Sequence, residues 1–137
     1  MIGILIIAHG TLGESLIHCA AHVFGGTPER LQQLGVNVLD DPSRLLPQVK
    51  KLVGELDDGS GALILTDIYG ATPSNLACRL IEPGRVGCVS GVNLPMLVRA
   101  LTYRNDDLEA VTEKALSGGH EGIVNVTKEA CDVTARY

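Results

Sequence analysis

Residues 1–15 read MIGILIIAHGTLGES, and the fold turns on how that stretch is read. Ile2, Ile4, Leu5, Ile6 and Ile7 make a short apolar run rich in β-branched residues, the composition of a strand buried on both faces, as in a parallel sheet. The run stops at His9. Gly10, Thr11, Leu12 and Gly13 then lead into a helical pattern, which places His9 at the carboxyl end of the first strand and just ahead of a helix N-terminus. Ligands and chemistry gather there in open α/β sheets. An imidazole so placed can act as nucleophile, base or metal ligand, while neighbouring backbone N–H groups favour an anion. His9 is therefore the candidate reactive residue.

Working outward, Leu16, Ile17, Ala20, Ala21, Val23 and Phe24 recur at helical spacing, and Gly25-Gly26 supplies the stop. A second strand is expected in the later part of Leu31 to Leu39, before the Asp40-Asp41-Pro42 break. Leu45, Leu46, Val49, Leu52, Val53 and Leu56 mark a helix capped by Asp41, opened by Pro42 and closed by Gly59. Gly61 to Thr66 (GALILT) reads as a central strand that ends at Asp67 much as the first ends at His9. After it, Gly70 to Asn75 combines a tight turn, Thr72 as N-cap and Pro73 at the first helical position, with a short helix running through Leu80. Arg85 to Ser90 is a fourth strand, and helices follow from Met96 to about Tyr103 and from Asp106 to Leu116, the latter ended by Gly118-Gly119. Alternation from Gly122 to Val126 reads as an edge strand. Strands alternating with helices in this way indicate an α/β fold, a doubly wound, mostly parallel sheet flanked by helices. The last strand lies outside the alternation, antiparallel at the edge or on a partner subunit.

With 137 residues, 45% of them hydrophobic, the chain is most simply one domain, with a core over about residues 1–126 and a C-terminal tail after it. The formal charge is -5 and the positive residues are scattered, which argues against nucleic acid as a partner. Phe24, Tyr69, Tyr103 and Tyr137 are the whole aromatic complement, so there is no platform for base stacking. Cys19, Cys78, Cys88 and Cys131 form no CxxC pair and read as small core residues in a reducing compartment. No basic residue precedes the first apolar run, which is too short to span a bilayer, and a cytoplasmic location is expected.

In this topology the loops that begin at His9, Asp67 and Gly91 share one rim. Asp67, bonded to one ring nitrogen of His9, would fix the tautomer and leave the other lone pair exposed. Such a histidine can attack phosphorus. The phosphoryl group then needs neutral donors, and the backbone amides from Gly10 through Thr11 to Gly13, the Thr72 hydroxyl and the helix start around Pro73 and Ser74 are at hand. Other constellations are weaker. His18 and His22 are spaced i, i+4 for a metal pair, but no carboxylate or cysteine completes the set. His120 reads as a loop residue and Asp40-Asp41 as a solvated turn.

Three segments, IGILIIAHGTLGESL, LILTDIYGATPSNLA and VSGVNLPMLVRAL, together resemble the IIA domain of the mannose-type sugar phosphotransferase system, in order and at similar spacing to about Val126. The resemblance implies a phosphocarrier in which His9 accepts a phosphoryl group from phospho-HPr and passes it to a IIB domain. Neither metal nor cofactor takes part. By the same resemblance Asp67 orients the histidine and Thr72 is the active-site hydroxyl, although many members read GGSP where this chain reads GATP. It also implies a homodimer with an exchanged edge strand, a role for residues 122–126, and peripheral association with a membrane permease. No IIB domain follows within these residues, so the acceptor is expected to be met in solution, and a regulatory protein read by its phosphorylation state is the alternative. A small tetrapyrrole metal chelatase, which also begins with a strand ending in histidine and glycine, is a third reading; it wants a second metal-binding histidine in the same crevice.

Overall fold

The computed structural model describes residues 1–131. Four strands, β1 (Gly3–His9), β2 (Leu31–Val36), β3 (Ala62–Thr66) and β4 (Val86–Ser90), form one sheet in the order β2-β1-β3-β4, and every pairing is parallel. Helices α1 (Leu12–Phe24), α2 (Pro42–Leu56), α3 (Thr72–Cys78), α4 (Leu94–Thr102) and α5 (Leu108–Glu121) cover it, and a short α6 (Lys128–Cys131) follows. β1 is central, and the alternation of its side chains divides the core. Ile2, Ile4, Ile6 and Ala8 pack with residues of α1, α4 and α5, while Leu5 and Ile7 pack with residues of α2 and α3. All six are fully buried, as a strand between two helical layers requires.

The order of the strands positions the site. From β1 the chain crosses to β2 on one side and then returns past β1 to β3 on the other, which makes the gap between the ends of β1 and β3 the point where the winding reverses. Ile7 pairs with Thr66 and His9 with Val36, so the ends of all three strands are level at the carboxyl rim.

Several elements differ from the expectations, and α3 stops at Cys78, short of Leu80. β2 occupies the earlier part of its segment, because it must run beside β1 and stops at Val36, where β1 stops; Val38 and Leu39 lie beyond it in the open loop. α4 begins at Leu94, since the Asn93 side chain accepts a hydrogen bond from the Met96 N–H and caps it two residues early. α5 does not stop at Gly118-Gly119. Both glycines are buried against α4, where a Cβ at position 118 would stand 2.7 Å from Arg99 Cβ and one at position 119 would stand 2.8 Å from Met96 Cε. They are there for close helix packing, and the helix runs to Glu121. Among the described residues, 123–127 pair with no strand, and Ile123, Val124 and Val126 are exposed. The cysteines also depart from the core reading: Cys19, Cys78 and Cys131 are exposed and Cys88 is half-buried, all four as free thiols. Part of the C-terminal tail, residues 132–137, lies outside the described residues.

At the end of the sheet opposite the site, Arg104 is buried and acts as a clasp. Its guanidinium donates to the carbonyls of Ile2, Glu29 and Arg30, and its own carbonyl accepts from the Ile2 N–H. Burial, with Arg30 adding to it, holds its pKa below the ordinary value, yet the carbonyl dipoles around it satisfy its N–H groups. Arg104→Met keeps the bulk and takes the guanidinium from the Ile2 and Glu29 carbonyls, while the Arg30 carbonyl keeps the Ile4 N–H. We expect a loss of about 3 kcal/mol in urea unfolding; a loss below about 1 kcal/mol would show that water replaces the guanidinium there.

Candidate functional site

His9 is the last residue of β1, and Asp67 is the first residue after β3. Because those strands are neighbours, the aspartate lies directly beside the histidine. Asp67 Oδ2 accepts two hydrogen bonds from it, one from the backbone N–H at 2.9 Å and one from ring Nδ1 at 2.7 Å. Oδ1 accepts the Ile68 N–H at 3.0 Å. The Asp67 side chain is 9% exposed while that of His9 is 49% exposed, so the carboxylate is sunk in the rim and the imidazole stands above it. Burial raises the Asp67 pKa, but the bonds from the His9 backbone and ring and from Ile68 outweigh it and hold the carboxyl below the ordinary value of 3.8. An ionised carboxylate only accepts hydrogen bonds, so Nδ1 carries the proton in this pair. In the neutral ring, Nε2 then has the free lone pair.

The turn after His9 is where the sequence places the phosphate donors, and the structure corrects one of them. The Gly10 N–H donates to the Val36 carbonyl at 2.9 Å and is spent on the sheet, so Gly10 contributes its left-handed bend, φ 56°, rather than a donor. Donors begin with Thr11. Thr11 is the N-cap of α1, but its side chain makes no capping bond, which leaves the first-turn amides of the helix uncapped at the rim.

The third element is the start of α3. Thr72 was expected as its N-cap; that place is taken by Ala71, and Thr72 is the first helical residue with Pro73 behind it. Its hydroxyl is therefore not spent on a cap. Thr72 also lines a groove of about 490 Å³ between α2 and α3, together with Asp41, Leu46, Asn75 and Arg79. Ser74 is 3% exposed, and its buried hydroxyl is not presented to the rim. Behind the site, the Thr66 hydroxyl donates to Ser90 Oγ at 2.9 Å, and the Gly91 and Val92 N–H groups both donate to the Thr66 carbonyl, which joins the third rim loop to the strand that carries Asp67.

Sequence reasoning missed the apolar crown. Val38 and Leu39 are 101% and 96% exposed, and Ile68 and Tyr69, in the loop that Asp67 opens, are exposed as well. All four follow the carboxyl ends of β2 and β3. Their signal was present, since Val38 and Leu39 sit between Asn37 and Asp40-Asp41, but the alternation through Val36 and Val38 mimics a longer strand. Groups proposed and set aside elsewhere are distributed over the surface: His18 and His22 are exposed on α1, His120 is exposed near the end of α5, and among the described residues no group of three metal-binding side chains is assembled. Burial, with Cys78 nearby, pushes the Cys88 thiol up to about 11, which makes it a poor nucleophile at neutral pH.

The Asp67 carboxyl has a lower pKa folded than unfolded, so its stabilising contribution is full above about pH 5 and is lost as the pH falls through the folded value. Chemical denaturation of the wild type and Asp67→Asn from pH 7 to pH 2 is expected to show a gap in stability that narrows on acidification. A gap independent of pH would mean that geometry alone, not the charge, holds the histidine.

Residues 3–116 match the family described as "PTS system fructose IIA component". The mannose-specific EIIAB component of the phosphotransferase system of Escherichia coli (strain K12) is 30% identical over 125 residues, which are 89% of this chain and 38% of that protein. The chain thus spans about two fifths of the length of that relative. The fructose-specific EIIA component of Bacillus subtilis (strain 168) is 29% identical over 107 residues, 76% of this chain and 71% of that one. Among solved structures, phosphotransferase system component EIIA from Streptococcus agalactiae superposes with a TM-score of 0.81 at 26% identity, covering 91% of this chain and 97% of its own. No helix of the described residues is long and apolar enough to cross a membrane. A histidine and aspartate paired at the winding reversal of a parallel sheet, on a chain matched over residues 3–116, place this protein in the family of IIA components of the sugar phosphotransferase system.

Proposed function

We propose that this protein is a cytoplasmic phosphocarrier in which His9 receives a phosphoryl group from the phosphohistidine of HPr and delivers it to a IIB domain. The observation that carries the reading is the 2.7 Å bond from His9 Nδ1 to Asp67, with the ring half-exposed at an open rim. In this reading Nε2 attacks phosphorus in line; one N–P bond forms as the donor's N–P bond breaks, and the electron pair stays on the donor imidazole. Bonds of the same kind are exchanged, so the protein's task is orientation and charge stabilisation rather than activation. The uncapped amides from Thr11 onward and the Thr72 hydroxyl are the neutral donors for the phosphoryl oxygens.

A protein partner also explains the apolar crown. Large side chains left in water around a reactive group are characteristic of a surface that another protein covers. Exposed Ile123, Val124 and Val126 and the open edge of β4 support a second contact, in which residues 122–126 add a strand to a partner subunit and make the homodimer.

The reading is tested by incubating the chain with enzyme I, HPr and labelled phosphoenolpyruvate. Acid-labile, alkali-stable label is expected on the wild type and absent from His9→Ala; label that persists in that variant rejects the assignment. Asp67→Ala should fold and transfer about tenfold to a hundredfold more slowly, as for loss of a group that orients a reacting side chain. Onward transfer to a IIB domain separates transport from signalling.

The crown has its own test. Leu39→Asp puts a charge where a partner would press, and it touches no group of the site. The Michaelis constant for phospho-HPr is expected to rise about tenfold with little change in maximal rate, on the scale of one interface anchor; an unchanged constant would remove the 37–41 loop from the docking surface.

A further inference from the structure

Beneath the turn that carries the Thr11 amide is a polar side chain with no structural employment. Gln33 is on β2, paired with Ile6 of β1, and its Oε1 is buried without a hydrogen-bond partner. It lies on the face of the sheet that carries α1: a Cβ added at Gly13 would stand 3.0 Å from Gln33 Oε1 and 3.1 Å from Gln33 Cβ. Two residues along the same face, a Cβ added at Gly35 would stand 2.3 Å from the Gly10 carbonyl oxygen and 3.9 Å from Gln33 Oε1. The carboxamide and the Gly10 carbonyl therefore converge on the space above Gly35. A hydrocarbon of the same length would fill that layer without the cost of about 1–3 kcal/mol that an unpaired buried polar atom carries.

The direction of the Gly10 carbonyl matters for the chemistry. In a trans peptide the C=O and the following N–H point opposite ways. A Gly10 carbonyl aimed down at the sheet over Gly35 sends the Thr11 N–H up and away from it, toward the rim where His9 stands. Whatever holds that carbonyl down aims that amide. Gln33 can do so, because exchanging the two ends of its carboxamide leaves its shape unchanged and puts an N–H₂ donor where the unpaired oxygen lies.

We propose that Gln33 is a positioning residue for phosphoryl transfer, whose carboxamide donates to the Gly10 carbonyl when His9 is phosphorylated and so fixes the Thr11 N–H on a phosphoryl oxygen. The proposal rests on the phosphocarrier reading above. In the resting protein the buried Oε1 is unpaired; when a phosphoryl group takes the Thr11 N–H, the carboxamide turns over, its N–H₂ takes the place of that oxygen, and it donates to the Gly10 carbonyl already aimed over Gly35.

The test uses the full chain with enzyme I, HPr and phosphoenolpyruvate. Gln33→Met, which removes the unpaired oxygen, is expected to melt above the wild type and yet to take the phosphoryl group about tenfold more slowly, the loss of one hydrogen bond of about 1.4 kcal/mol felt only in the transfer. Its Michaelis constant for phospho-HPr should stay unchanged, and its ³¹P resonance should move from the wild-type position. Transfer at the wild-type rate with an unmoved ³¹P signal overturns the proposal. Should Gln33→Met fail to fold, the wild type decides. The side-chain N–H₂ pair of ¹⁵N-labelled Gln33 is expected to shift downfield on phosphorylation, and an unmoved pair overturns the proposal. Failure of the phosphocarrier reading is seen separately, as wild-type protein that takes no label on His9, and it overturns both.

Discussion

One carboxylate oxygen holds the active end of this molecule. Asp67 Oδ2 takes both the backbone N–H and the ring Nδ1 of His9, so a single atom fixes where the histidine begins and which way its imidazole faces. Two donors from one residue leave the ring little freedom to swing, and this is the pre-organisation that the proposed transfer relies on. The bond is available only because β1 and β3 are adjacent and level, which in turn requires the chain to pass over β1 on its way from β2. A strand at the centre of such a sheet has no face toward water. Six consecutive buried apolar or small residues, Gly3 to Ala8, meet that demand, and the first polar side chain after them is His9.

The two ends of the sheet are built for different tasks. At the amino end Arg104 spends its guanidinium on three backbone carbonyls and locks the entry to β1 and β2. At the carboxyl end the polar groups of the backbone are left open, and apolar side chains stand in water beside them. An isolated domain gains nothing from that second arrangement. It fits a protein whose reactive rim is covered briefly and repeatedly, with the closed end keeping the frame rigid while partners come and go.

Much of this architecture was legible in the sequence, and the failures have physical causes. Buried parallel strands announce themselves as unbroken β-branched runs, so β1 and β3 and the polar residues that end them, His9 and Asp67, were read correctly, as was their meeting at the rim. Where local pattern and tertiary packing disagreed, packing won. Val38 and Leu39 continue an alternation, yet β2 is only as long as the strand it pairs with. Gly118 and Gly119 look like a helix stop, yet they are the surface that lets α4 come close. Thr72 has the side chain of an N-cap, but the helix begins one residue early and frees its hydroxyl. The Gly10 N–H and the Gln33 carboxamide were illegible for a different reason. Which donor is already spent and which acceptor is empty depends on partners across the sheet, and no linear pattern records it.

The charge arrangement around His9 resolves an apparent conflict. A carboxylate beside a group that must accept a phosphoryl dianion would repel it if both were on the same side of the ring. Asp67 occupies Nδ1 and leaves Nε2, on the far edge of the imidazole, free for the phosphorus in the proposed transfer. In the proposed phosphocarrier its negative charge pushes electron density toward Nε2 as the bond forms and then balances the positive charge that a phosphorylated ring acquires. The donors proposed for the phosphoryl oxygens are amides and a hydroxyl, which stabilise an anion without binding it as firmly as an arginine would. A carrier has to release what it takes. In the proposed carrier, neutral donors in front of the ring and one anchored anion behind it suit a transfer that runs in either direction, with the outcome left to the partner that docks.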